Sequence, residues 1–176
     1  YARSLICRIL QFPGQEIGTH TFSHYYCLEE GQIVNEFRAD LRAAYGAAER
    51  LGIDLKSLVF PRNQWRPDYL PACAEAGVRV VRGPRQAWMY RPKSGTDNAV
   101  KRAFRLADTY VSLSGHNSQR PLWCEDGLVN VPSSRFLRPF SPRLASLTTL
   151  LLSRIRRSMK HAAKNGLVYH LWWHPH

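Results

Sequence analysis

The 176-residue chain is predicted to be an α/β domain built on a parallel sheet, open or closed as a barrel. Two observations predict it. Candidate strands and helices alternate, in the order strand, helix, strand, helix, strand, irregular segment, helix, strand. Each strand also runs out into polar, chemically capable residues: "THTFSH", "PRNQ", "RGPRQ" and "HPH". Parallel α/β folds place their active sites beyond the C-terminal ends of the strands, so this clustering points to an enzyme.

Residues 1 to 17 hold a short apolar run, "SLICRIL", and a turn at Pro13-Gly14. "QEIGTH" reads as a short strand leading into His20 and His24. From Glu30 to Leu51, Ile33, Phe37, Leu41, Ala44, Ala48 and Leu51 recur at spacings of three and four, which predicts a helix stopped by Gly52. "LKSLVF" is a buried strand. Pro67 opens a second helix, regular from about Pro71 and stopped by Gly77. "VRVV" is the next strand. Residues 83 to 140 carry scattered Pro, Gly and aromatics without a period, and predict an irregular insertion with short elements such as "TYVSLS". From Pro142 a third helix shows an apolar face of Leu144, Leu147, Leu151, Ile155, Met159 and Ala162. Its cations, Arg154, Arg156, Arg157, Lys160 and Lys164, suit the negative helix end, and Gly166 caps it. "LVYHLWW" then reads as a strand covered on both faces. There is no internal repeat.

Hydrophobic residues at 44% and charged residues at 22% place the chain with ordinary soluble proteins. The net charge of +12 fits either an acidic partner or a solvated basic surface. Cys7, Cys27, Cys73 and Cys124 form no C-x-x-C and suggest buried or free thiols. No apolar run reaches transmembrane length, so no membrane span is expected, and no signal peptide is visible. Tyr stands at position 1 and the chain stops abruptly at "HLWWHPH", which reads as one domain, 1–176, cut at both ends from a longer protein.

His20 and His24 lie at i and i+4, on one face if the segment is a helical turn. Two readings stand: a pair of metal ligands, or two partly buried histidines bonded to backbone. His170, His174 and His176 recur at even positions around Trp172 and would point one way from a strand. One of them, His174 first, could act as a general acid; the three could hold a metal; or His170 could be core and His176 simply exposed. Arg62, the first charge after a buried strand, could orient a carboxylate or form a structural ion pair. Asn63 and Gln64 could bind a sugar hydroxyl or line their loop. Trp65, Trp88, Trp123, Trp172 and Trp173 offer stacking faces or core bulk.

"HTFSH" resembles the His-Ser/Thr-x-x-His metal motif of the polysaccharide deacetylases, the NodB-like carbohydrate esterase family four. "FPRNQW" is similar to that family's Arg-containing loop, and "HLWWHPH" to its late-strand histidine, in family order across most of the chain. The resemblance implies a distorted (β/α) barrel, incomplete here. It implies a metal-dependent hydrolase that removes acetyl groups from amino sugars of a polysaccharide or surface glycan, in a bacterial cytoplasm or envelope. His20 and His24 would hold a divalent metal, zinc first, with cobalt or nickel as alternatives. Thr21 would shape the loop, Arg62 would steer the catalytic carboxylate, and His174 would protonate the leaving amine. Asn63, Gln64 and Trp172 would contact the sugar. The family's Thr-Phe-Asp-Asp motif, source of the base and third ligand, and its Asp-Trp motif are both missing. The chain alone is therefore expected to be inactive, with the Asp pair upstream or lost. One rival is a non-catalytic, glycan-binding relative. Another is a nucleic-acid binder using "SRIRRSMKHAAK", not favoured because no recognition motif accompanies it.

Overall fold

Short parallel strands and the helices between them organise the first part of the chain. The computed structural model describes residues 3–84, 87–91, 98–124 and 126–174. These gather into two units, Tyr1–Arg82 with Trp123–Asn130, and Gly83–Leu122 with Val131–His176.

In the first unit α1 (Arg3–Leu10) buries none of its residues. α2 (Val34–Glu49) turns Phe37, Leu41, Ala44 and Ala48 inward, the stripe that its period predicts. β1 (Ser57–Val59) leads through a 3-10 turn at Pro67–Tyr69 into α3 (Leu70–Glu75) and then β2 (Val80–Arg82). β1 and β2 pair in parallel, from Ser57 opposite Val80 to Val59 opposite Arg82, as a helical crossover allows. The strands of this sheet run β1-β2-β4-β3, with β4 (Val129–Asn130) parallel to β2 and β3 (Leu122–Trp123) at the edge. Phe37 sits at the centre of the core. It stacks on Phe60 at 5.8 Å and meets Tyr69 and Tyr25 at 5.1 and 5.6 Å.

"QEIGTH" does not form the expected strand. Only Thr19 bridges to β1: its N–H donates to the Ser57 carbonyl (2.8 Å) and its carbonyl accepts from Val59 N–H (3.0 Å). Gly18 packs so closely on Ser57 that a Cβ there would collide with the Ser57 hydroxyl. Past the bridge, Thr21 is left-handed (φ 63°), which no strand sustains.

The second unit corrects the expectation of an irregular insertion. Residues 99–110 form α4 (Ala99–Tyr110), capped by Asn98, whose side chain accepts from Lys101 N–H. Thr109 and Tyr110 close this helix, so "TYVSLS" begins as a helix end and is not a short element of its own. β5 (Arg135–Phe136) pairs in parallel with β6 (Leu171–Trp172). Between them a 3-10 segment over Pro142–Leu147 runs into α5 (Thr148–Asn165), closed by Gly166 in the left-handed region (φ 61°). Leu151, Ile155 and Ala162 face inward as predicted, whereas Met159 is exposed and Arg154, read among the cations that suit the helix end, is buried. "LVYHLWW" supplies only the two residues of β6 and a bridge from Val168 to Gln119. Its strand is half-buried rather than covered on both faces, and Trp173 is exposed.

No helix among the described residues is long and apolar enough to cross a membrane. The described strands make one four-stranded and one two-stranded sheet, with no closed barrel among them. All four cysteines are free thiols. Burial pushes the thiols of Cys27 and Cys73 up to about 12, which keeps both protonated and unreactive.

Candidate functional site

The two histidines of "HTFSH" stand on a loop, not on a helical turn. Left-handed backbone at Thr21 (φ 63°) and His24 (φ 61°) folds the chain back on itself, and the rings meet edge to face with centroids 4.8 Å apart. Both are exposed, so neither fills the core. His20 Nδ1–H donates to the Val59 carbonyl at the end of β1 (2.6 Å). That bond puts the proton on Nδ1 and the lone pair on Nε2 in the neutral ring. His24 Nδ1 lies 2.9 Å from the Tyr26 hydroxyl.

Thr21 serves the loop itself: its hydroxyl accepts from Tyr25 N–H (2.8 Å). Tyr25 is buried against Phe37, and its hydroxyl donates to the Ile33 carbonyl (2.9 Å). The histidine loop is thus tied to the aromatic core on one side and to β1 on the other.

The Arg62 loop follows β1. Arg62 (φ 52°) and Asn63 (φ 53°) are both left-handed. Four of the five non-glycine residues with such backbone, among the described ones, lie in these two loops. Strain of this kind costs about 1–3 kcal/mol per residue and persists where the surroundings hold it. The Arg62 guanidinium lies 4.4 Å above the Tyr26 ring and 3.9 Å from Glu29 Oε1. It therefore faces a carboxylate, as both readings of its role require. Asn63 Oδ1 accepts from Arg82 Nη2 (3.0 Å). Gln64 is fully buried; its oxygen accepts from Leu28 N–H (3.0 Å) and its amide donates to Glu29 (2.8 Å). It braces the turn that carries Glu29.

His174 and Trp172 belong to the second unit. Trp172 meets His174 edge to face at 5.5 Å, and both lie against Phe136 of β5. His170 is half-buried; its N–H donates to Ser134 Oγ, and its Nδ1 lies 3.3 Å from the Val131 carbonyl. His176 lies outside the described residues. Trp65 packs on Phe60, whereas Trp88, Trp123 and Trp173 are exposed.

Asp40 was not foreseen. From the middle of α2 its carboxylate accepts from Phe22 N–H (2.6 Å) and Ser23 N–H (2.9 Å), the amides between the two histidines. One Asp on the polar side of a helix gives no sequence signal; only the tertiary approach of the loop makes it matter. Asp40→Ala is expected to cost about 1 kcal/mol and to speed amide exchange at Phe22 and Ser23 roughly tenfold. Unchanged exchange at those amides would show that the loop holds its shape without this acceptor.

As a metal site the loop is half built. Two imidazoles, one with its Nδ1 fixed by a backbone acceptor, suit zinc and its neighbours. A hydrolytic site ordinarily takes three protein ligands, and no group of three His, Cys, Asp or Glu able to hold a metal gathers among the described residues. Comparison with family models, with curated proteins and with solved structures finds no match to this chain.

Proposed function

We propose that the chain carries the histidine loop of a metal-dependent deacetylase that removes acetyl groups from amino sugars of a glycan. One observation carries the reading. His20 and His24 are exposed, brought edge to face by strained backbone, and held from behind by Val59 and Tyr26. Histidines kept only for packing need none of this. The motif likeness of "HTFSH", "FPRNQW" and "HLWWHPH" supplies the reaction class.

In this reading His20 and His24 hold a divalent metal. When bound, such an ion polarises an acyl carbonyl and lowers the pKa of water. Tyr26 and the Val59 carbonyl fix the imidazole orientations, and Arg62, stacked on Tyr26, aims at a carboxylate. Glu29 is the carboxylate it faces. The general acid assigned to His174 rests on the resemblance. The base and third ligand, an Asp pair in the family's motif, rest on it too and do not occur in this sequence.

Zinc titration of the chain followed by calorimetry tests the metal reading. Wild type is expected to bind one zinc, and His20→Ala or His24→Ala to weaken it more than tenfold. Equal zinc affinity in all three proteins would sink it. Acetate release from N-acetylated sugar oligomers by the zinc-loaded protein tests the chemistry. A second reading, a non-catalytic glycan-binding relative, draws on the missing third ligand among the described residues. It expects zinc or sugar binding with no acetate released.

A further inference from the structure

The chain's basic excess is not spread evenly. The second unit carries fifteen Lys and Arg against two acids, Asp97 and Asp108, a balance of +13; the first carries ten against eleven, a balance of −1, and together they give the chain's +12. Among the unit's described residues, two of these guanidiniums are buried. Arg135 is 1% exposed and Arg154 2%. Both guanidiniums converge on Asp108, itself 0% exposed.

Arg154 bonds through both terminal nitrogens, and its Nε alone is buried without a hydrogen-bond partner among the described residues. Nη2 donates to Asp108 Oδ1 (3.0 Å) and the Gly115 carbonyl (3.3 Å), and Nη1 to the Val111 carbonyl (2.8 Å). Arg135 bonds through one terminal nitrogen. Its Nη1 donates to the backbone carbonyl of Asp108 (3.2 Å), while Nε and Nη2 are buried without a hydrogen-bond partner among the described residues. Those two atoms form one edge of the guanidinium, the fork of parallel N–H groups that a carboxylate or phosphate accepts bidentately.

Asp108 cannot serve that fork as well. Its carboxylate already accepts from Arg154, the Tyr90 hydroxyl (2.7 Å), the Ser114 hydroxyl (2.8 Å) and the N–H groups of Leu113 and Ser114 (3.0 and 2.7 Å). Two buried cations thus meet one anion, and a buried charge left uncompensated is strongly disfavoured. Asp108 is the one acid among the unit's described residues: Arg138 Nε reaches Thr109 on the same helix, and His116 stacks on His161 at 4.2 Å. Burial first, then the charges of His161, Arg154, Arg135 and Arg157, lowers the pKa of His116, which reports the same positive field.

We propose that the second unit holds a compact oxyanion against the Nε–Nη2 edge of Arg135, a site separate from the histidine loop. The ligand class is a phosphate or carboxylate group small enough to be enclosed. The two sources of that chemistry are a free inorganic ion and the carboxylate of an acidic sugar.

The test is thermal unfolding of the metal-stripped chain against inorganic phosphate and against glucuronate, both at constant ionic strength with chloride as the balance. Saturable stabilisation is expected from one of the two. It should reach about 5–10 °C when the ligand is at roughly a hundred times its dissociation constant. Response to phosphate alone identifies the free ion; response to glucuronate identifies the sugar carboxylate. Arg135→Met is expected to weaken the responding ligand about 10- to 100-fold, and Arg157→Ala, on the exposed side of α5, to leave it unchanged. No saturable response to either ligand in wild type overturns the site, and so does an Arg135→Met protein that binds as tightly as wild type. Should Arg135→Met not fold, the wild-type titrations decide, with Arg135→Lys, which keeps the charge and loses the fork, as the second variant.

Discussion

Replacing Asp108 with alanine is expected to cost the second unit about 3–5 kcal/mol. The carboxylate is fully buried and accepts from Arg154, Tyr90, Leu113 and Ser114 at once. Its removal leaves the Arg154 guanidinium buried and without its counter-charge, which is the costly part. That attribution has its own check. If the stranded charge dominates, Asp108→Ala/Arg154→Met recovers much of the loss, because both charges then leave together. If the lost hydrogen bonds dominate, the double variant is no better than the single one. Hydrogen exchange at α4 and α5 amides reads either result.

The pH dependence of the same group has a definite sign. Burial pushes the Asp108 carboxyl up, but hydrogen bonds from Tyr90 and Ser114, then the Arg154 charge, outweigh it and hold the pKa below its usual value. A depressed carboxylate binds its proton more readily in the unfolded chain. Its contribution is therefore complete above the unfolded value of about 3.9 and is lost as pH falls through the folded value. Wild type should lose stability in that acid range, and Asp108→Ala should show a shallower acid limb.

This cluster also explains what sequence could not reveal. α2 was legible because Phe37, Leu41, Ala44 and Ala48 are apolar at helical spacing and the core takes them. α4 inverts the rule. Val100, Phe104 and Leu106 are exposed, and the residues it buries are Asp108 and Thr109. Its stripe of Val100, Ala103, Phe104 and Ala107 recurs at helical spacing, yet the core does not take it. Arg154 shows the same inversion from the other side. It stands three residues after Leu151, four before Ser158 and eight before Ala162, on the buried face by position, yet its charge suggests solvent. In the histidine loop the spacing of His20 and His24 was legible and the helical geometry assumed for it was not. What shapes the loop is left-handed Thr21 and His24, the Asp40 carboxylate from α2 and the Val59 carbonyl from β1. Those partners are brought by tertiary contact and carry no local pattern.

Phe37→Ala is expected to destabilise the first unit by about 3–5 kcal/mol and to loosen the histidine loop with it. Phe37 is fully buried and touches Phe60, Tyr69 and Tyr25, so truncation leaves a cavity ringed by rigid aromatics that collapse poorly. Phe37→Leu keeps most of the volume and should cost appreciably less. The functional consequence runs through Tyr25. Its ring packs on Phe37 while its N–H is held by Thr21, one residue from His20 and three from His24. Amides of residues 19–25 should then exchange faster in Phe37→Ala by at least the factor lost at Leu58 and Val81 in the sheet. Zinc affinity should fall in Phe37→Ala and largely survive in Phe37→Leu. If sheet amides lose protection while the loop and its zinc affinity do not change, the loop is held by Asp40 and β1 alone. The aromatic core would then stabilise the unit without positioning its histidines.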